Sequence, residues 1–276
     1  MVKKAFRCIL PGLLLFVTAA AFAQSYQYLQ LGQSVIEDRL RLYAERNPER
    51  EATIRRLFEE SGCRGEQLKE QSVENSAAPN VICTLPGRSR STIIVGAHFD
   101  HAPKGDGVVD NWSGASLLPS LYESLRSIPR EHTYIFISFT DEEKGFWGSG
   151  QYAEHLTEDE VERIQGMINI DTLGLGPTKI WVSKSNPELV NDVTEVASEL
   201  KLPLGEMNVD DFGNSDGKSF RERNIPTITF HSVTIENLGI IHSIRDNLDA
   251  VKLDDYYDSY KLIAAYLAAL DSELKE

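Results

Sequence analysis

The sequence predicts a single α/β/α domain, in which helices cover both faces of a mixed but largely parallel central sheet. Short apolar runs rich in β-branched residues alternate with stretches of helical periodicity, which is typical of such a sheet. The 276 residues are 41% hydrophobic, which is enough for one sizeable core. We find no repeat, low-complexity tract or linker that divides the chain into two domains.

Residues 1–23 have the pattern of a secretory signal peptide. Basic residues precede an apolar run, and Ala21-Phe22-Ala23 provides a cleavage site of small residues. The run contains Pro11 and Gly12 and is shorter than the roughly 20 residues of a membrane span. We therefore expect cleavage, no stable membrane insertion, and a periplasmic or secreted domain over residues 24–276.

The charge balance argues against nucleic acid as a partner. The chain has 28 Lys and Arg residues against 42 Asp and Glu, a formal charge of −14. Loss of residues 1–23 makes the charge about −17, because that segment holds three basic residues and no acidic ones. Such an acidic surface repels a phosphate backbone.

Two cysteines remain after cleavage, Cys63 and Cys83. An even number in an oxidising compartment permits one disulfide, and two buried thiols are the alternative. Cys83 lies in the apolar run Val81–Leu85, while Cys63 follows a turn at Gly62. We predict a structural disulfide, because these neighbouring segments could meet.

The elements follow from periodicity. After Gly32, residues 33–60 read as one or two amphipathic covering helices, broken only at Pro48. The predicted strands are Val81–Leu85, Thr92–Ala97, Thr133–Phe139, Met167–Ile170, Lys179–Val182 and Thr227–Phe230. The predicted helices are Ala115–Ser127, Gly148–His155, Pro187–Leu200, Lys218–Arg223 and Leu253–Leu270. Residues 201–217 read as the longest irregular segment, and such loops are often functional.

Histidines and acids follow the predicted strands where each strand ends. His98 and Asp100 follow one strand, Glu142 and Glu143 another, and Asp171 a third. Ligands bind at the carboxyl edge of an open α/β sheet. Singly, each residue has a structural explanation, such as a helix cap or a solvated surface position. Together they gather like charges that need cations, and this donor set suits zinc.

The same motifs carry a resemblance to a known family. In order they are His98-Phe99-Asp100, Asp110-Asn111-Trp112-Ser113-Gly114, Asp141-Glu142-Glu143, Asn169-Ile170-Asp171 and Ile241-His242-Ser243. They resemble those of the co-catalytic di-zinc aminopeptidase family, which also contains the animal glutaminyl cyclases. The resemblance covers roughly residues 80–270 and implies the zinc-peptidase (phosphorylase/hydrolase-like) fold.

The resemblance implies two zinc ions per chain. His98 and Asp171 would bind one, Glu143 and His242 the other, and Asp110 would bridge both. Such a pair lies about 3.5–4 Å apart and lowers the pKa of a shared water molecule.

The resemblance also assigns two roles beside the ligands. Glu142 matches the general base that activates the bridging water. Asp100 matches the carboxylate that orients His98 and fixes its tautomer.

Two departures from the family pattern concern the substrate pocket. Trp112 stands where family members often have a small residue, and Ser215-Asp216-Gly217 replaces a Ser-Asp-His sequence. The indole either narrows the pocket or contacts a substrate side chain, or it packs into the following helix.

Two further histidines lie near the motifs. We expect His101 not to be a ligand, since successive side chains of an extended segment point in opposite directions. His231 either lines the cleft or is structural.

These observations favour an exported zinc-dependent aminopeptidase that hydrolyses N-terminal residues from peptides. The enzymatic alternative is a glutaminyl cyclase, which forms pyroglutamate from N-terminal glutamine. A non-catalytic binding module of peptidase descent is the third reading.

Overall fold

A computed structural model describes residues 26–273 of the chain, so the predicted signal peptide at 1–23 lies outside the described residues. The strands are β1 (Leu68–Gln71), β2 (Asn80–Leu85), β3 (Thr92–His98), β4 (Thr133–Phe139), β5 (Ile164–Ile170), β6 (Thr178–Ile180), β7 (Leu204–Glu206) and β8 (Thr227–His231). The helices are α1 (Gln33–Leu40), α2 (Asn47–Glu60), α3 (Ser113–Leu125), α4 (Trp147–His155), α5 (Glu158–Arg163), α6 (Pro187–Leu200), α7 (Gly217–Arg221) and α8 (Leu253–Glu273).

The eight strands form one mixed sheet in the order β1-β2-β4-β3-β5-β8-β6-β7. The four central strands, β4, β3, β5 and β8, are parallel to one another. β2 runs antiparallel to β1 and β4, and β6 runs antiparallel to β8. The predicted largely parallel, mixed sheet is confirmed, and the carboxyl ends of its central strands share one edge.

Alternating side chains of the strands enter two cores. On β3, Ile93 and Val95 face the larger core beneath α1, α2, α3, α6 and α8, while Ile94 faces a smaller core beneath α4, α5 and α7. This period of two is what a strand buried on both faces requires. The three-layer α/β/α prediction is therefore confirmed. The buried face of α8 carries Ile263, Tyr266, Leu267 and Leu270.

Three elements were not predicted. β1 is a polar edge strand that pairs only with β2, so its sequence shows no buried face. β7 pairs with β6, so the prediction that residues 201–217 are irregular throughout was wrong. α5 is a six-residue acidic helix whose capping box joins Thr157 and Glu160.

The predicted helical segment at 33–60 consists of two helices, α1 and α2, separated by residues 41–46. The predicted disulfide is present: Cys63 and Cys83 are bonded, with their Cα atoms 6.3 Å apart. Both cysteines are buried. The bond ties the chain just beyond α2 to β2. In the part of the chain that the structure describes, no helix is both long and apolar enough to span a bilayer.

Candidate metal centre

The residues predicted at the carboxyl edge meet there. His98 is the last residue of β3, and Asp171 directly follows β5. Glu142 and Glu143 begin a short 3-10 turn after β4. Asp110 comes from the loop before α3, and His242 comes from the long connection between β8 and α8.

The carboxylate of Asp110 lies between two imidazoles. Its Oδ1 is 3.3 Å from His98 Nε2, and its Oδ2 is 3.1 Å from His242 Nε2. Each oxygen thus faces a different histidine, as a carboxylate that bridges two cations does. Asp110 and His98 are buried, whereas the His242 side chain is 56% exposed.

One further carboxylate approaches each histidine. Asp171 Oδ1 is 3.6 Å from His98 Nε2, and Glu143 Oε1 is 3.1 Å from His242 Nε2. Glu143 Oε1 is buried and makes no hydrogen bond to any described residue. Such an unsatisfied buried oxygen calls for an explanation, and a bound cation supplies one.

The donors fall into two groups, one of His98, Glu142 and Asp171 and one of Asp110, Glu143 and His242. Within each group the candidate ligand atoms lie within 4.8 Å of one another. One imidazole nitrogen with two carboxylate oxygens is a donor set that suits zinc. The residues present therefore fit a pair of zinc ions. Glu142, predicted as the base, is also close enough to act as a ligand.

Asp100 has two sets of partners. Its Oδ1 is 3.4 Å from His98 Nδ1, while its main-chain oxygen lies 3.2 Å from the same nitrogen. Its carboxylate also accepts hydrogen bonds from the backbone N–H groups of Glu142 and Glu143, at 3.0 and 3.2 Å. The second set of contacts was not predicted, since it joins the ends of two strands through main-chain atoms.

Left-handed backbone conformations mark three turns of the site. Asp141, directly before Glu142, has a φ of 53°, and Thr172, directly after Asp171, has a φ of 60°. His242 itself has a φ of 55°. Residues other than glycine seldom adopt this region, and when they do they cluster at functional sites.

The carboxylates favour positive charge on both histidines. Burial disfavours the charged form of His98, but Glu142 and the hydrogen-bonded Asp100, Asp110 and Asp171 raise its pKa well above the usual value.

His242 responds in the same way. The carboxylates of Asp110 and Glu143, each with an oxygen 3.1 Å from His242 Nε2, raise the pKa of His242 to about 10. Burial acts to raise the pKa of Asp110, but its hydrogen bonds with His242 and His98 hold that pKa below the ordinary value. The carboxyl edge of the sheet thus concentrates negative charge that bound cations would compensate.

Glu142 has a different environment from the ligand candidates. Burial raises its pKa well above the ordinary value, and Asp216 and Asp171 add to the rise against the attraction of His98. A carboxyl group tuned upward in a cleft is typical of an acid–base catalyst.

Two residues that support the site were missed. The Asp246 carboxylate accepts hydrogen bonds from the backbone N–H groups of Val109, at 2.7 Å, and Asp110, at 3.2 Å. The Asn111 amide joins the same loop to β5, donating to the carbonyl of Ile170. No local pattern identifies either contact, because both partners are distant main-chain groups.

The Ser215-Asp216-Gly217 departure lies behind the centre. Ser215 Oγ accepts from Asn169 Nδ2, and burial raises the pKa of Asp216 to about 7. A Cβ at Gly217 would lie 2.9 Å from Thr227 Cγ2 and 3.0 Å from a guanidinium nitrogen of Arg221. A histidine at position 217 would therefore require its neighbours to move.

Trp112 packs away from the cleft, which decides between the two alternatives for its indole. The side chain is fully buried, its Nε1 donates to the Arg39 carbonyl, and the Arg50 guanidinium lies 5.6 Å from the ring centroid. Its surroundings are α1 and α2 as well as the helix that follows.

The two other histidines differ in position. His101 belongs to neither donor group, and its ring nitrogens lie beside the carbonyls of Ala102 and Glu45. His231 lines the cleft and is also structurally bound, with Nε2 donating to the Met207 carbonyl and Nδ1 accepting from Val233 N–H.

An open cleft leads to the donor groups. Asp110, Glu142, Asp171 and His242 line it. Its lining also includes apolar residues, namely Trp181, Val209, Val233, Leu238 and Ile241.

Comparisons with known proteins agree with this geometry. A model of peptidase family M28 matches residues 80–267. Aminopeptidase YwaD of Bacillus subtilis (strain 168) is 28% identical over 220 residues, which are 75% of this chain and 48% of YwaD. Leucine aminopeptidase 2 of Trichophyton equinum is 27% identical over 164 residues, 55% of this chain and 33% of that protein. The chain thus spans half or less of the length of these curated relatives.

Solved structures share the fold. The LapA aminopeptidase of Legionella pneumophila superposes with a TM-score of 0.76 at 18% identity, covering 88% of this chain and 73% of LapA. BSAP, a zinc aminopeptidase from Bacillus subtilis, superposes with a TM-score of 0.63 at 22% identity, covering 72% of this chain and 52% of BSAP. A glutaminyl cyclase of an Acidobacteriales bacterium superposes with a TM-score of 0.71 at 15% identity, covering 88% of this chain and 94% of the cyclase. The family model matches more than half of the sequence, and the predicted fold is present. The chain therefore belongs to peptidase family M28.

Proposed function

We propose that the protein is an exported zinc-dependent aminopeptidase that hydrolyses N-terminal residues from peptides. The observation that carries this proposal is the carboxylate of Asp110, whose two oxygens face His98 and His242 at the base of an open cleft. The similarity to proteins named aminopeptidases and the fold shared with a zinc aminopeptidase support it.

We assign two zinc ions to the centre, as the resemblance implies. His98 and Asp171 would hold one, Glu143 and His242 would hold the other, and Asp110 would contact both. When bound, such a pair lowers the pKa of a water molecule and polarises the scissile carbonyl. The remaining steps belong to the side chains of this chain.

Glu142 is the proposed general base. It is buried, lines the cleft and belongs to a carboxylate-rich group that raises its pKa. It takes a proton from the attacking water and passes it to the leaving amine. Asp100 holds His98 in one orientation and fixes the turn that carries Glu142.

The substrates are peptides with a free N-terminus. The carboxylates that line the cleft attract the N-terminal ammonium, and its apolar lining residues accommodate an uncharged side chain such as that of leucine. We therefore expect leucine at the N-terminus to be preferred to aspartate.

Export is proposed from the sequence of residues 1–23. The Cys63–Cys83 disulfide supports it, because disulfides persist in oxidising compartments.

The test combines metal analysis with a substrate panel. The reconstituted protein should bind two zinc ions and release leucine from leucine amide, with activity lost on chelation and restored by zinc. Ring closure of an N-terminal glutamine peptide without hydrolysis would favour the glutaminyl cyclase. Zinc binding with neither reaction would favour a binding module, and failure to bind zinc would refute the proposal.

A further inference from the structure

The loop that carries Asp110 is held by a buried arginine from outside the family-matched segment. Arg50 lies on α2 and is fully buried. Its Nη1 donates to the carbonyls of Phe99, at 3.0 Å, and Gly107, at 3.1 Å, and its Nη2 donates to the carbonyl of Asp106. One guanidinium thus joins the start of the loop after β3 to its return before α3.

The loop must fold back closely for these carbonyls to meet. Gly107 has a φ of 54°, and a Cβ there would lie 2.2 Å from His101 Cβ. This close approach leaves no room for a Cβ, and glycine also adopts the left-handed conformation without strain. The planar guanidinium, with several donors in fixed directions, matches the cluster of converging carbonyl oxygens.

Asp246 binds backbone N–H groups of the same loop, whereas Arg50 binds its carbonyls. Its carboxylate accepts from the N–H groups of Val109 and Asp110, and its main-chain carbonyl accepts from Asp106 N–H. The loop backbone is therefore held between a cation that binds its carbonyls and an anion that binds its N–H groups. Burial lowers the pKa of Arg50 to about 10, and the nearby carboxylates of Asp246, Asp100, Asp106 and Asp110 oppose this shift.

We infer that Arg50 is a positioning residue for the metal centre. It sets the spacing between the end of β3, which carries His98 and Asp100, and the turn that presents Asp110. The residue acts through the main chain, since its guanidinium donates to the main-chain carbonyls of Ala44, Phe99, Asp106 and Gly107. The inference rests on the proposed zinc centre, and it adds a contribution from α2, which precedes the matched residues 80–267.

The experiment compares Arg50→Met with Arg39→Met. Arg39, on α1, is a partly buried arginine. Its guanidinium binds Ser120 and Glu123 on α3 instead of the loop carbonyls. Zinc affinity is measured by competition with a chromophoric chelator, and the Tm of the metal-free protein is recorded beside it. We expect Arg50→Met to lower zinc affinity by about 10–100-fold, the range seen when groups that orient metal ligands are removed.

Arg39→Met should lower the Tm without changing zinc affinity. Parent-like zinc affinity in a folded Arg50→Met protein overturns the inference, as does an equal loss of affinity in both variants. If Arg50→Met does not fold, Arg50→Lys replaces it, since one ammonium retains the charge without reaching all the carbonyls. Weakened zinc binding by the lysine variant supports the inference, and parent affinity overturns it. Failure of the parent protein to bind zinc would instead refute the proposed function.

Discussion

The carboxylate of Asp100 accepts a hydrogen bond from the backbone N–H of Glu142, at 3.0 Å. The same carboxylate lies 3.4 Å from His98 Nδ1. One side chain thus relates the position of a candidate ligand on β3 to that of the proposed base after β4. The orientation of His98 and the placement of Glu142 are consequently coupled.

Glu142→Gln should reduce turnover by about 10²–10⁴-fold, the range for loss of a general acid–base group. Zinc content should stay at the parent value, because glutamine keeps the shape of the side chain and Glu142 is not an assigned ligand. Steady-state kinetics and metal analysis of the same sample provide the measurement. Loss of a zinc ion would instead identify Glu142 as a ligand, and Glu143→Gln is the control in which that loss is expected.

Asp110→Ala should abolish activity and remove metal from both positions, since each oxygen of Asp110 faces one histidine. The matched control is Asp210→Ala, which removes an exposed carboxylate bonded to Ser183. Mass spectrometry of the native proteins compares their zinc content. Two retained zinc ions in Asp110→Ala would show that the bridge assignment is wrong.

Trp112→Phe should lower the free energy of unfolding by about 1–3 kcal/mol, because it leaves a void beneath Arg39 and Arg50. KM should not change, since the indole does not line the cleft. Denaturant unfolding and steady-state kinetics give the two quantities. Trp147→Phe, at a partly exposed tryptophan, should change stability little. A raised KM with unchanged stability for Trp112→Phe would place the indole at the substrate.

His231 should make the protein less stable as the pH falls from 6.5 toward 4. Burial lowers the pKa of His231 from 6.5 to about 4, so between these values the unfolded chain binds a proton that the folded protein does not. Stability therefore rises with pH in this window, by up to about 1.4 kcal/mol per pH unit. Below pH 4 the dependence levels off.

The comparison of His231→Gln with the parent isolates this contribution, since other titrating groups are common to both proteins. The free energy of unfolding of the metal-free variant should depend less steeply on pH. An equal slope in parent and His231→Gln would contradict the assignment.

The apolar runs predicted the strands that build the site, because strands buried on both faces have continuous hydrophobic sequences. Their shared carboxyl edge then explains why His98, Glu142 and Asp171 meet. The polar strand β1 and the short strand β7 were missed, since the pairing of an edge strand depends on its neighbour more than on its own sequence.

The supporting contacts could not be predicted for a related reason. Arg50 and Asp246 both bind main-chain groups of a loop distant in sequence. The sequence does not show which backbone atoms a buried charge will reach. The packing of Trp112 also depends on α1 and α2. The periodicity of the sequence does not specify where these helices lie relative to the loop.

The disulfide has a consequence for the chain if a protease cuts it. Residues 64–82, which lie between its cysteines, contain the turns that flank β1. A single cut in this stretch leaves the two halves covalently joined, so α2 stays attached to the sheet and Arg50 remains near the loop that it binds. Reduction after such a cut would leave the segment that carries α2 held to the sheet by its packing contacts alone.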